Sequence, residues 1–562
     1  MEEQRQQQHV QQERYQGYSQ GEEEPSQEVN SVHGDSTSPP ALQLQANHAA
    51  MLSTTEAHLN TRNTLRAHNL KIRKIIEWLR KEYPTVASSM IVPLTQEQKH
   101  ADGGLKFYKN EYDLQYATLP VEMIKAFIAA NKIKSVDANG AETHCSFDQL
   151  RKYKDAILYG AKRAKYPLSP GFKQEMKVFI DSLKKESQKA KKEGKVDEHE
   201  ADPITFPLYQ EMCQAAIKTG NVFFWCFTVL QWNCMARSIN ISNLRFNSFS
   251  LGKDSVKIKY WDTKKDKTGE KATPKNCYAN PYNYVVCFNT ALAVYLIIMD
   301  ETFRDGRETL FLSPKAQESS ASHKYCSQVR EMFRSVIAES VAMHIRPNHA
   351  NAHGIRKGSA VEVTSGTTCP PPPSSVARRG EWSLGVVFDI YWLFAEAGDY
   401  YCGRILAGLN PNTSSFEVLP PHFIVGSENL HVNEALNMCF PNISKLNGMP
   451  NIKGLLLRCL ASVIYHSEAL IQVIDTEPGH PFSQIPILSQ RLLLKELKGV
   501  VTINPSPKIN SPTGKVIFDI QTCNHLFCKL INQNELAFRY PSTCQNDEPG
   551  FRNVGIIKSR KN

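Results

Sequence analysis

Between Lys218 and Arg237 the chain runs eighteen residues without a charge, "TGNVFFWCFTVLQWNCMA", and between Lys275 and Asp300 it runs twenty-four, "NCYANPYNYVVCFNTALAVYLIIM". Stretches of that length approach what a helix needs to cross a bilayer. Asn, Gln and Thr interrupt the first, and Asn, Pro and Thr the second. Amides and hydroxyls of that kind suit a protein interior, where they find partners, better than lipid. Both stretches therefore predict buried helices of a large core, and no membrane span is expected.

The rest of the composition agrees with a soluble globular protein. Of 562 residues 41% are apolar and 22% charged, and a chain of this length predicts two to four domains. The net charge of +10 is compatible with a nucleic-acid partner without establishing one. The 14 cysteines lack regular spacing and include no CxxC pair, which predicts reduced, intracellular thiols. Nine of the first thirty residues are glutamine, so no signal peptide is expected there, and residues 1–65 read as a disordered tail.

Apolar residues three or four apart predict helices in "LRAHNLKIRKIIEWLRKEY", "PVEMIKAFIAANKI", "SFDQLRKYKDAILYGAKRAK" and "GFKQEMKVFIDSLKKESQKAKKEGK", with caps at Ser146 and at Ser169-Pro170. These make a helical domain over 66–195. It ends in a basic run, Lys184, Lys185, Lys189, Lys191, Lys192 and Lys195. That run reads either as a solvated helix face or as a track along a phosphate backbone. A second unit spans 203–410. Helices flank a strand with Val256, Ile258 and Tyr260 on one face, and "KKDKTGEK" follows it as a hairpin tip. From 411 to 562 comes a C-terminal extension of unknown role. The predicted fold class is mainly α with a small antiparallel β-sheet (α+β).

Common catalytic signatures are missing: no GxxxxGK[ST], GxGxxG, GxSxG or HExxH occurs. His344, His349 and His353 lack a neighbouring carboxylate or cysteine to complete a metal site, so no metal and no cofactor is expected. One ordered set of polar groups remains: Arg237 in "QWNCMARSINISNL", Lys264 in "WDTKKDKTGE", His353 and Arg356 in "AHGIRKGSA", then Trp382 and Tyr391 in "RRGEWSLGVVFDIY". An arginine directly after the first uncharged stretch needs an anionic partner, either a protein carboxylate or a ligand phosphate.

The order Arg, hairpin Lys, His-x-x-Arg, Trp, Tyr resembles the tyrosine recombinase (phage integrase) family. The wording "ILYGAK", "LQWNCMARSINI", "YANP" and "HGIRKGSA" is closest to its eukaryotic, mobile-element-borne Crypton-type members. The resemblance covers about residues 66–410. It implies a core-binding domain at 66–195, an integrase-like catalytic domain at 203–410, and cleavage and rejoining of DNA through a 3′-phosphotyrosine. By this resemblance Arg237 and Arg356 hold the phosphate and Tyr391 attacks it. Lys264 protonates the leaving 5′-oxygen, with Lys265 and Lys267 as alternatives on the same tip. His353 moves a proton or braces the phosphate, and Trp382 donates its indole N–H. Tyr400 and Tyr401 lie too far from Trp382 for the family spacing. The partners implied are double-stranded DNA and further copies of the chain assembled on it, with no small-molecule substrate and a nuclear location. Arg378 and Arg379 are read as surface or backbone-contact candidates for DNA, together with the lysine run. Two positions depart from the family pattern: Asn240, where many relatives carry an acid, and the insertion "TTCPPPPSS" at 367–375. The alternative readings are an inactive DNA-binding protein derived from a mobile element, a helical protein-interaction protein, and a type IB topoisomerase using the same chemistry.

Overall fold

In a computed structural model the described residues are 62–94, 111–138, 140–196, 201–260, 273–299, 309–311, 321–339, 349–383, 396–426, 428–442 and 452–514. The glutamine-rich segment, His344, Lys264, Lys265, Lys267 and Tyr391 lie outside them. The chain divides into two compact units between Glu198 and His199.

The first unit contains α1 (Arg62–Glu82), α2 (Pro84–Met90), β1 (Ile91–Pro93), β2 (Tyr112–Leu114), α3 (Val121–Ala130), β3 (Ile133–Val136), β4 (Glu142–His144), α4 (Phe147–Arg163) and α5 (Pro170–Lys192). Its core is the sum of the helical stripes: Ile72, Ile75 and Leu79 of α1 meet Ile124 and Phe127 of α3, Ala156 and Ile157 of α4, and Met176 and Ile180 of α5. The caps are those the sequence predicts. Ser146 and Gln149 form a reciprocal capping box, and the Ser169 hydroxyl accepts from the Phe172 N–H with Pro170 in the first turn. The sequence pattern does not show the two antiparallel pairs β1–β2 and β3–β4, whose strands are only three or four residues long.

The second unit begins with α6 (Phe206–Lys218), α7 (Val222–Asn233) and α8 (Ser238–Ser242). A three-stranded antiparallel sheet follows, ordered β5 (Phe249–Leu251), β6 (Val256–Ile258), β7 (Lys275–Cys277). Then come α9 (Phe288–Ile298), α10 (Ala321–Glu339), α11 (Ala352–Ser365), α12 (Pro373–Arg379) and α13 (Glu396–Leu406). After them stand β8 (His422–Phe423), α14 (Leu430–Cys439), α15 (Ile452–Tyr465), α16 (Ser467–Thr476), α17 (Pro486–Ser489), α18 (Arg491–Gly499) and β9 (Val501–Thr502), with β8 and β9 paired. The fold is therefore mainly α with small antiparallel sheets.

The two uncharged stretches hold the centre. Every residue of α7 is buried, and so is α9 from Phe288 to Ile297. Neither is long enough to cross a membrane, and no single helix among the described residues is both long and apolar enough to do so. Several of their polar groups find partners, such as the Trp225 indole N–H, which donates to the Val285 carbonyl at 2.7 Å, while the buried Asn289 amide of α9 makes no hydrogen bond among the described residues.

The described residues of α14 to α18 pack into this same core. Leu455, Leu456, Cys459, Leu460 and Val463 of α15 join one apolar cluster with α7 and α9. A buried ion pair ties it further. Asp254, in the turn between β5 and β6, accepts from Arg404 of α13 at 2.8 Å and from the Thr513 N–H at 2.7 Å. The Thr290 and Ser462 hydroxyls lie 2.9 Å apart across α9 and α15. A chain ending at Asn410 is expected to lose its cooperative near-UV circular dichroism transition, because α9 is then left with an uncovered apolar face. A sharp transition in that truncation would make the extension a separate part.

Candidate active site

Four of the six residues named from the sequence are described, and they stand on three segments. Arg237 is the N-cap of α8, His353 and Arg356 lie in the first two turns of α11, and Trp382 follows α12.

Arg237 and Trp382 are delivered by the same device. Helix α7 ends with the Ala236 N–H donating to the Gln231 carbonyl (3.1 Å) and the Met235 N–H to the Trp232 carbonyl (3.0 Å). Helix α12 ends with the Trp382 N–H donating to Ala377 (2.9 Å) and the Glu381 N–H to Arg378 (3.0 Å). Both are Schellman caps, which require a left-handed residue just past the helix, normally glycine. Here those residues are Met235 (φ 48°) and Glu381 (φ 55°). Each costs roughly 1–2 kcal/mol against glycine.

The stretch Gln231-Trp232-Asn233 holds the site segments together. The Gln231 amide donates to the Ala236 carbonyl (3.2 Å), just before Arg237, and to the Ala352 carbonyl (2.8 Å), just before His353. The Trp232 indole donates to Leu406 at the end of α13, and the Asn233 carbonyl accepts from Arg379. Helix α11 is seated on the backbone before α6. The Ile204 N–H donates to the Gly354 carbonyl (3.0 Å), and a Cβ on Gly358 would stand 1.8 Å from the Ile204 carbonyl oxygen, so only glycine fits that approach.

Arg356 is 3% exposed. One of its terminal nitrogens donates to the Gly380 carbonyl, and its guanidinium carbon lies 5.7 Å from the Trp382 ring centre, within cation–π range. Burial lowers its pKa to about 10, with the Arg237 charge as the next cause, while Glu381 and Tyr260 act the other way. It remains charged at neutral pH, and the two arginines are close enough to feel each other. His353 is exposed, one turn before Arg356 on the same helix, and its N–H donates to the Asn351 cap at 2.9 Å. Trp382 is 39% exposed.

Sequence reasoning missed two residues here. Lys275, the first residue of β7, is 1% exposed, and its ammonium donates to Glu381 at 2.9 Å and lies 4.3 Å from the Tyr260 ring centre. Glu381 also accepts from the Asn240 amide at 3.4 Å. The hairpin expected to carry Lys264 is present as β6 and β7, with Val256, Ile258 and Tyr260 all buried, but its tip lies outside the described residues. The proline run at 370–373 is the approach to α12, with Pro373 at its first position, where a missing N–H costs nothing.

Arg379 departs from the expectation of a surface candidate for DNA, because its side chain is wholly buried. It donates to an Asp399 carboxylate oxygen (2.5 Å) and to the Asn233 (2.7 Å) and Asn276 (2.9 Å) carbonyls, while the other Asp399 oxygen accepts from the Asn276 N–H (2.7 Å). Burial disfavours its charge, but the Asp399 carboxylate outweighs that and its pKa is raised. Arg378 is half-buried. In the first unit Lys184, Lys185, Lys189, Lys191 and Lys192 are exposed, while α5 buries Phe172, Met176, Ile180 and Leu183.

Compared with known proteins, the chain matches no family model and no curated protein.

Asp399→Ala is expected to destabilise the protein by about 3–5 kcal/mol, because it strands a buried guanidinium. Urea unfolding of the full chain reads this directly, and a loss below about 1 kcal/mol would return Arg379 to a peripheral role.

Proposed function

We propose that the protein is a DNA strand-breaking and rejoining enzyme of the tyrosine recombinase type, working through a covalent phosphotyrosine. The observation that carries this reading is the pairing of the buried Arg356 with Trp382 from a separate segment, with the Arg237 guanidinium of a third segment near enough to act on its charge and the Glu381 carboxylate beside them bound to Lys275. Two guanidinium groups that repel each other in a half-buried space favour an incoming anion. A phosphodiester supplies that anion, and its charge grows on the non-bridging oxygens during in-line attack.

In the proposed reaction the Tyr391 hydroxyl attacks phosphorus. A bond forms from its oxygen to the 3′-phosphate, and the bond to the 5′-oxygen breaks. Lys264, or Lys265 or Lys267 on the same hairpin tip, gives the leaving oxygen its proton. His353, one turn from Arg356 and exposed, takes up or relays the tyrosine proton. The phosphotyrosine keeps the bond energy, so the second strand is joined without a nucleotide cofactor. The exposed lysines of α5 bind backbone phosphates and position the duplex without reading its sequence. Further copies of the chain on the same DNA, in the nucleus, complete the exchange.

Incubation of the full chain with a nicked suicide duplex is expected to give a covalent protein–DNA adduct that Tyr391→Phe abolishes. An adduct that survives in that variant, or its absence from the unaltered chain over several duplex sequences, sinks the proposal. Arg356→Ala is expected to slow adduct formation by about 100-fold or more, the usual effect of removing one donor to a developing oxyanion.

Replacing Lys184, Lys185, Lys189, Lys191 and Lys192 with alanine is expected to flatten the dependence of log K on log salt by about 0.9 for each phosphate that the altered helix no longer neutralises. An unchanged slope in fluorescence anisotropy would return these lysines to a solvated face.

A further inference from the structure

Glu381 occupies a position where glycine is the less costly residue. Its φ of 55° closes the Schellman cap of α12, a job glycine does without strain. The side chain that glycine lacks is the part that bonds to the rest of the site. Its carboxylate, 17% exposed, accepts from the buried Lys275 ammonium at 2.9 Å and from the Asn240 amide at 3.4 Å.

The residues on either side of Glu381 hold Arg356: the Gly380 carbonyl accepts from its guanidinium, and the Trp382 ring lies beside it. The fit is close, since a Cβ on Gly380 would stand 2.9 Å from the Trp382 ring. Residues 380–382 thus form one clamp whose middle member is anchored to β7 and α8. Asn240, three residues after Arg237, places an uncharged amide against that carboxylate. The negative charge at this point comes from the far side, out of α12.

Resting on the strand-transfer reading, we propose that Glu381 is the positioning residue of the site: its carboxylate, pinned by Lys275 and Asn240, offsets the repulsion on Arg356 and fixes the Arg356–Trp382 pair between its two neighbours Gly380 and Trp382. Lys275 of β7 and Asn240 of α8 bond to this carboxylate, which acts on the charge of Arg356 in α11 against the Arg237 guanidinium at the N-cap of α8. Removing the charge while keeping the shape leaves the guanidinium groups repelling each other, and Trp382 loosens. The duplex still binds, because the cations remain, but the phosphate is held out of line.

The test separates charge from shape. In Glu381→Gln the full chain is expected to bind duplex as tightly as before and to form adduct about tenfold more slowly or worse, the effect typical of one charge-assisted hydrogen bond. Acrylamide quenching of Trp382 emission, taken as the difference between the chain with and without Trp382→Phe, is expected to rise. Glu381→Asp keeps the charge and is expected to stay nearer the unaltered chain than Glu381→Gln in both measurements. Asn240→Asp combined with Glu381→Gln moves the charge across the same hydrogen bond and is expected to restore both. Glu381→Gly improves the cap but is expected to behave like Glu381→Gln.

Equal behaviour of Glu381→Gln and the unaltered chain overturns the proposal. So does a Glu381→Asp variant as impaired as Glu381→Gln, or a fall in folding that Asn240→Asp does not repair. If the unaltered chain forms no adduct, the strand-transfer reading fails by itself, and the quenching series still decides whether Glu381 positions Trp382.

Discussion

The Arg379–Asp399 pair is the interaction on which the frame of the site depends. The arginine closes α12 just before the Gly380–Trp382 clamp, and the carboxylate sits in α13, which follows Tyr391 in the chain. Their other bonds reach the end of α7 and strand β7. Four elements are held at one point by a single desolvated charge pair. Such a pair is a weak source of net stability but a strong source of specificity, since any displaced arrangement leaves a buried charge without a partner. Burial of both groups removes solvent competition, so the geometry is fixed where a surface pair would let it drift.

Around that pair, polar residues in otherwise apolar helices act as positioning groups. Gln231, Trp232 and Asn233 occupy the last turn of α7 and direct bonds to several different chain segments. This explains how an uncharged stretch of membrane-like length belongs inside a protein. Its apolar side chains build the core, and the Gln231 and Trp232 side chains, with the Asn233 backbone carbonyl, use that rigid core to place other segments around the site. The Asn280 of "YANP" works the same way, donating to the Ala407 carbonyl at 2.9 Å while its own oxygen accepts from the Tyr282 and Asn283 N–H groups.

Much of this was legible where a local rule applied. Helical periodicity located α1, α3, α4 and α5, serine caps marked two of their starts, and alternation at Val256, Ile258 and Tyr260 marked a buried strand before a hairpin. What escaped depended on partners distant in the chain. Strands of three residues carry too few alternations to register. The ends of α7 and α12 lack the glycine that signals a Schellman cap, because Met235 and Glu381 take its place. Arg379 beside Arg378 reads as a surface doublet until Asp399 is brought to it by the fold. Nothing in the sequence of the C-terminal helices says that α15 covers α9.

The electrostatics of the site then bear on its chemistry. Burial is the first cause of the lowered pKa of Arg356 and the Arg237 charge the next, while the Glu381 carboxylate, itself bound to Lys275, acts the other way, so the positive charges here exceed the one carboxylate. An excess of that kind is relieved by an incoming anion, and relieved further as the charge of that anion grows. A site neutralised by its own carboxylates would bind a phosphodiester no better at the transition state than at rest. On the strand-transfer reading proposed above, one held short of neutrality, with its donors fixed by Gly380, Gln231 and the seating of α11 on Ile204, would bind most tightly when phosphorus is five-coordinate. On the same reading the Glu381 carboxylate eases the repulsion on Arg356, while its single charge would be too small to replace the phosphate. That is the balance its anchoring by a buried lysine and a neutral amide provides.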